Sequence, residues 1–233
     1  MNHGKELSPA KKGPGDIVHL VVKAALSAVP IVGGPAVEFF AALVSAPLDS
    51  RRQEWMNQVT SRLNELSTHG LLKLDQLKDN PSFITMLLQA TQAAIRNHQA
   101  EKLAALRNLV LNSALPGPPE EALEMMFLNF IDTCTDWHLT LLRFFDDPRK
   151  WAAAHSVQFP NYSATGLSNI LVVAFPELAV KRPFYELVWG DLRTRGLVEG
   201  DLNVTMTADG AFRQHTTDIG RTLLKFISEP DVK

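Results

Sequence analysis

The sequence predicts a mainly α protein, an N-terminal helical bundle followed by a small α+β module. Apolar residues recur at steps of three and four through most of the chain, and helix caps and breakers fall where those stripes begin and end. Candidate strands appear only in the final third. With 233 residues, 45% of them hydrophobic and 21% charged, the chain can bury a core without staples. The single cysteine, Cys134, removes intrachain disulfides and thiolate metal clusters and is compatible with a reducing compartment. A formal net charge of -2 supplies no overall attraction to a polyanion.

Residues 1–16 mix Lys5, Lys11 and Lys12 with Gly and Pro and hold few apolar groups, which predicts a flexible tail. From Ile17 the composition turns apolar. Pro30, Gly33, Gly34 and Pro35 split the segment 17–48 into two short helices, an apolar hairpin at the head of a bundle that spans 17–158. The uncharged run between Lys23 and Glu38 is 14 residues, shorter than the roughly 20 a spanning helix needs. Asp16, His19 and Lys23 spoil the charge order of a secretory signal. Two readings stay open. The hairpin is buried at the centre of the bundle, or it leaves the bundle to enter a bilayer surface or a partner groove. In the second case Lys11 and Lys12 face anionic lipid, and Pro30, Gly33, Gly34 and Pro35 supply the break. A phosphate cradle at Gly33-Gly34 lacks both the preceding strand and a following Lys-Ser/Thr.

Beyond it, Ser50 is positioned to cap a helix through Trp55, Val59, Leu63 and Leu66 that stops at Gly70. Asn80-Pro81 reads as N-cap and first helical position of a helix with Phe83, Met86, Leu87 and Ala90 on one stripe. A further helix ends at the proline-rich run 116–119. Glu120, Glu121 and Glu124 then sit in a first turn, where carboxylates favour the helix dipole. That helix carries Leu123, Met126, Phe127 and Phe130 inward and continues or kinks through Thr135 to Phe145. Asp147-Pro148 opens a short helix with Trp151.

A polar stretch near 159–166 marks the boundary to a second module at 161–230. Two helices follow, the second with Pro183 in its first turn and Phe184, Leu187, Val188 and Leu192 on one side. Candidate strands at 203–208 and 211–216 are joined by Asp209-Gly210, a two-residue hairpin signal, and Thr217 or Asp218 caps a final amphipathic helix. Helices, a hairpin and a closing helix are the order of a winged-helix module.

The residues 187–200, the hairpin and the run 216–227 resemble the end of a bacterial winged-helix domain, in which a Thr-x-x-Gly helix start follows the wing. The front half, with its Pro-Ile-Val-Gly-Gly-Pro turn, Arg51-Arg52 and Trp55, resembles uncharacterised bacterial helical proteins and, more remotely, the abortive-infection alpha type. The resemblance implies a role in defence or stress response and transfers no catalytic residue. Lys181, Arg182, Arg193, Arg195 and Arg213 are the candidate contact residues of the winged helix. Residues 161–233 carry eight Lys or Arg against nine Asp or Glu, a balance that favours protein contact over duplex DNA.

Chemically capable groups are sparse. Cys134 and His138, four apart with Asp132 and Asp136 nearby, permit a nucleophile or metal site on paper, but one cysteine with no second His-rich helix reads as a buried pair. Asp146 and Asp147 resemble an acid-base pair, and the latter is explained by capping. Trp55, Trp137, Trp151 and Trp189 read as core anchors rather than base-stacking platforms. Asn161 and Asn203 head glycosylation-type triplets that carry little meaning without a secretory signal. The expectation is a non-enzymatic interaction protein with no catalytic, cofactor or metal residues. It is cytoplasmic, with a peripheral inner-membrane contact if the hairpin leaves the bundle. Its partner is a protein; a DNA-binding winged-helix regulator is the alternative, and oligomeric state is left open.

Overall fold

The computed structural model describes residues 35–231, with side chains from Leu48 onward. The chain divides into two units, Met1–Asp49 and Ser50–Lys233. Of the first, the described part is backbone at the start of helix α1 (Pro35–Thr68). The expected tail and most of the expected apolar hairpin lie outside the described residues. One part of that expectation is corrected: α1 continues through 47–50 as a single element, so Ser50 is interior to a helix and caps nothing. Pro47 withdraws one backbone N–H from that helix without ending it.

The second unit is mainly helical with one small sheet. After α1 come α2 (Leu74–Leu77), α3 (Pro81–Arg96), α4 (Ala100–Ser113), α5 (Glu121–Thr133), α6 (Asp136–Asp146) and α7 (Pro148–Ala154). Then follow β1 (Ala164–Gly166), α8 (Leu167–Ala174), a 3-10 turn (Pro176–Leu178), α9 (Arg182–Thr194), β2 (Thr205–Thr207), α10 (Ala208–Phe212) and α11 (Asp218–Phe226).

Local chemistry sets most of these boundaries. Gly70 adopts φ +73°, and the Leu71 N–H turns back to the Leu66 carbonyl at 3.0 Å, which ends α1. The Asn80 carboxamide oxygen accepts the Phe83 N–H at 3.1 Å ahead of Pro81. Between α5 and α6 the chain breaks fully, where a continuous or kinked helix was expected. Thr135 and His138 form a reciprocal capping box that starts α6 afresh. Asp147 Oδ1 accepts the Lys150 N–H at 2.9 Å and starts α7.

Helices α3, α4 and α5 pack on one another, and α6 bears α7, α9 and α11. Leu139, Leu141, Leu142, Phe144 and Phe145 of α6 are all completely buried, so this helix has almost no solvent face. Its aromatic pair organises what surrounds it. Phe145 meets Trp189 at 4.7 Å between ring centres, and Phe144 meets Trp151 at 5.2 Å and Phe175 at 5.5 Å, all edge-to-face. Trp55 and Trp189 are buried, and Trp137 and Trp151 pack against the same core. The boundary expected near 159–161 is not a break in packing. One cluster runs from Trp55 to Ile227, and Asn108 and Asn112 of α4 donate to the Ile227 and Phe226 carbonyls at the end of α11, at 3.0 and 2.8 Å.

The expected hairpin at 203–216 is corrected. Residues 205–207 form β2, but its antiparallel partner is β1, with Ala164 opposite Thr207 and Gly166 opposite Thr205. Asp209-Gly210 is not a two-residue turn. The Thr207 hydroxyl accepts the Gly210 N–H at 3.2 Å and caps α10 instead, and Gly210 lacks the positive φ that such a turn requires. Thr216 is paired only through a bridge to Val198.

Gly220, in the first turn of α11, lies against the Leu197 carbonyl, and a Cβ there would overlap that oxygen. The variant Gly220→Ala should lose about 2–4 kcal/mol in urea unfolding. Gly190→Ala, whose Cβ would meet nothing within 4 Å, should be neutral or gain up to about 1 kcal/mol from helix propensity. Equal effects at the two positions would mean that the Leu197 contact is not what sets Gly220.

Candidate interaction surface

Helix α9 is apolar on two sides, and the fold uses only one. Tyr185, Val188, Trp189 and Leu192, spaced 3, 1 and 3 apart, are buried against α6 and its neighbours. The sequence reading grouped Phe184 and Leu187 with Val188 and Leu192 on one side; the structure buries the latter two and leaves the former two exposed. Leu187 is 73% exposed and Phe184 36%, its ring edge-on to Trp137 at 6.3 Å. The reason is area. A stripe that contains Tyr185 and Trp189 removes more apolar surface from water than one phased on Phe184 and Leu187, and both stripes cannot face inward together.

Val180, 90% exposed, precedes this face, and Val204, 52% exposed, follows Asn203, whose side chain bonds both Arg182 and Glu186 at 2.7 and 3.1 Å. A shallow hollow of about 300 Å³ lies at the other end, lined by Gly190, Arg193 and Thr194. The outer face of α9 thus presents Pro183, Phe184, Leu187, Gly190 and Thr194, with Asp191, held by Arg195 and His138, one turn beyond Leu187 on the same side.

Most of the cations expected to make contacts are already engaged. Arg182 pairs with Glu186 at 2.8 Å, and this hydrogen bond holds the Glu186 carboxyl below its ordinary pKa. Arg195 pairs with Asp191 at 2.9 Å and lies over the Phe130 ring at 5.2 Å. Arg213 pairs with Glu199 at 2.9 Å. Lys181 and Arg193, at opposite ends of α9, are exposed and make no ion pair among the described residues. Of the candidate membrane or partner contacts, Lys11, Lys12, Pro30, Gly33 and Gly34 lie outside the described residues. Pro35 is the first residue of α1, described as backbone only.

Cys134 and His138 are placed for structure. The Cys134 thiol is buried, donates to the Ile131 carbonyl at 3.5 Å, and is pushed up to about 12 by burial. His138 Nδ1 accepts the Thr135 N–H at 3.1 Å, which puts the ring proton on Nε2, 3.2 Å from Asp191. Burial lowers its pKa, partly offset by that carboxylate. The imidazole thereby ties the start of α6 to α9 and holds Asp191 for Arg195. Asp146 accepts from Thr216 and Gln214 at 2.6 and 2.7 Å while Asp147 caps α7, so the two adjacent carboxylates serve different neighbours. Among the described residues no group of three or more His, Cys, Asp or Glu could hold a metal ion, and no helix is long and apolar enough to cross a membrane.

Glu124 departs from its expected role at a helix start. It is only 4% exposed, Oε1 has no hydrogen-bond partner, and burial, with Glu121 adding repulsion, raises its pKa to about 7. A carboxyl raised in the folded state favours folding below its unfolded value near 4.5 and loses that contribution as pH climbs through about 7. Glu124→Gln should remove this pH dependence and be more stable than the parent at pH 8 by about 2 kcal/mol. Urea titrations of both proteins at pH 5 and pH 8 measure it, and an unchanged difference between the two pH values would refute the assignment. The lowered pKa values of His138 and His215 act in the opposite sense below about pH 6.5 and cancel in that comparison. Comparison with protein families, curated proteins and solved structures yields no match for this chain.

Proposed function

We propose that this chain is a non-enzymatic interaction protein whose C-terminal part is a winged-helix-type module that docks a protein partner. The order β1, α8, α9, Val198–Thr216 bridge and β2 supports a reduced winged helix with α9 in the recognition position. The observation that carries the reading is the outer face of α9. A helix that reads a duplex presents cations and hydrogen-bonding side chains to phosphates and base edges. Here that face presents Phe184, Leu187 and Gly190, while Arg182, Arg195 and Arg213 are neutralised within the chain. In the same proposal the apolar segment 17–48, with Lys11 and Lys12 ahead of it, contacts a membrane surface or a partner. The setting is cytoplasmic, with peripheral contact at the inner membrane, in bacterial defence or stress response.

Lys181 and Arg193 favour a second reading, a DNA-binding regulator. Retention of a duplex of about 30 base pairs, measured from roughly 50 to 200 mM salt, separates the two. The docking reading expects weak retention that Lys181→Glu with Arg193→Glu leaves unchanged. Strong, steeply salt-dependent retention abolished by the pair would replace it with the regulator. For the N-terminal segment, the full chain should sediment with anionic and not with neutral vesicles, and Lys11→Glu with Lys12→Glu should weaken this several-fold. Failure to sediment with either removes the membrane contact.

A further inference from the structure

We propose that His215 is an acid-sensitive latch: protonation of its buried ring opens the loop 199–214 while the helical core stays folded. The inference goes beyond the docking reading and does not depend on it. The first support is how the loop is fastened. Its two ends meet, with Val198 bridged to Thr216, the Glu199 N–H on the His215 carbonyl at 2.8 Å and the Thr217 N–H on the Leu197 carbonyl at 3.1 Å. The His215 N–H in turn reaches the Phe145 carbonyl of α6 at 2.8 Å. Within residues 199–214, all described, Leu202 and Ala211 are the only buried apolar residues. A segment with so few buried side chains opens at lower cost than the helices beneath it.

The second support is the imidazole at the neck of the loop. It is completely buried, lies edge-to-face with Phe145 at 6.1 Å, and its Nε2 donates to the Ala211 carbonyl at 3.3 Å. The proton therefore sits on Nε2, and Nδ1 is buried without a partner. Gly200 packs over it; a Cβ at that position would lie 3.4 Å from Nδ1. A second proton puts a charge and a new N–H donor where no acceptor stands. The charged groups on the surrounding elements are committed elsewhere. Glu199 of the facing turn holds Arg213 at 2.9 Å, and Asp201 accepts the Asn203 N–H. Asp146 of α6 accepts from Gln214 and Thr216, Asp209 of α10 pairs with Arg149, and Arg221 of α11 bonds Gln214, the Thr216 carbonyl and Asp218. Helix α8 contributes Leu167 and no charge. Burial lowers the pKa of His215, Arg213 adds to that shift, and Glu199 opposes it. The loop is therefore fastened above the ordinary histidine value of 6.5 and weakens as pH falls below it. One proton taken up on opening raises the open population by up to about tenfold per pH unit.

The test is amide hydrogen exchange of the full chain at pH 6.5 and pH 5.5, read as protection factors. The hydrogen-bonded amides of Glu199, Ala208 and Gly210 should lose up to about tenfold in protection at the lower pH, and those of α4 should stay better protected at both. His215→Gln, uncharged at either pH, should remove the loss. His138→Gln should keep it, because that ring ties α6 to α9 and lies outside the loop. Loop amides no better exposed to exchange than those of α4 would mean that the loop opens only with the whole chain, which overturns the latch. So would unchanged protection at pH 5.5, or a loss that persists in His215→Gln or vanishes in His138→Gln. If His215→Gln does not fold, the ring titration of His215 in the parent, followed by NMR, decides. A midpoint below 6.5 is expected, and one at or above 6.5 overturns the proposal.

Discussion

The packing of helix α6 constrains nearly everything around it. With Leu139, Leu141, Leu142, Phe144 and Phe145 all completely buried, α6 has to be covered on each side by other elements. Helices α7, α9 and α11 do so, and the rings of Trp151, Phe175 and Trp189 close on Phe144 and Phe145. The Phe145 carbonyl also accepts the His215 N–H at 2.8 Å, which draws the segment before α11 onto the same helix. The C-terminal part therefore shares its core with the helices that precede it, because its largest side chains are spent on α6.

That commitment decides what α9 shows to solvent. Trp189 must meet Phe145, so the helix is rotated with Tyr185, Val188 and Leu192 inward. At about 100° per residue Leu187 then falls nearly opposite the buried stripe and Phe184 at its flank, so both are left exposed. The polar contacts hold this rotation. His138 reaches Asp191 from the start of α6, Asp191 holds Arg195, and Arg182, Glu186 and Asn203 bind one another at the other end. These exposed pairs add modest stability individually. Together they leave Arg182 and Arg195 paired within the chain.

Local features were readable one at a time. The Asn80 cap, the Gly70 stop, the Asp147-Pro148 start and the Thr217 cap of α11 all stand where the residues suggested, because each depends on a hydrogen bond or a backbone conformation set within four residues. The Asp209-Gly210 signal misled because two local programs compete there. A Thr207 cap followed by Ala-Asp-Gly-Ala is as good a helical turn as Asp-Gly is a hairpin turn, and the pairing of β2 with β1, forty residues earlier in sequence, selects the first. Glu124 misled for a related reason. Its position in a first turn was legible, whereas its burial depends on neighbouring helices.

The sequence by itself determined the helical class and the approximate ends of most helices, since caps, breakers and apolar periods act over a few residues. The tertiary structure alone decided which of two apolar stripes on α9 was buried, which arginines were neutralised and which strand β2 paired with. Those outcomes depend on competition for burial and on charges brought together from distant parts of the chain, and no short window of sequence contains both competitors.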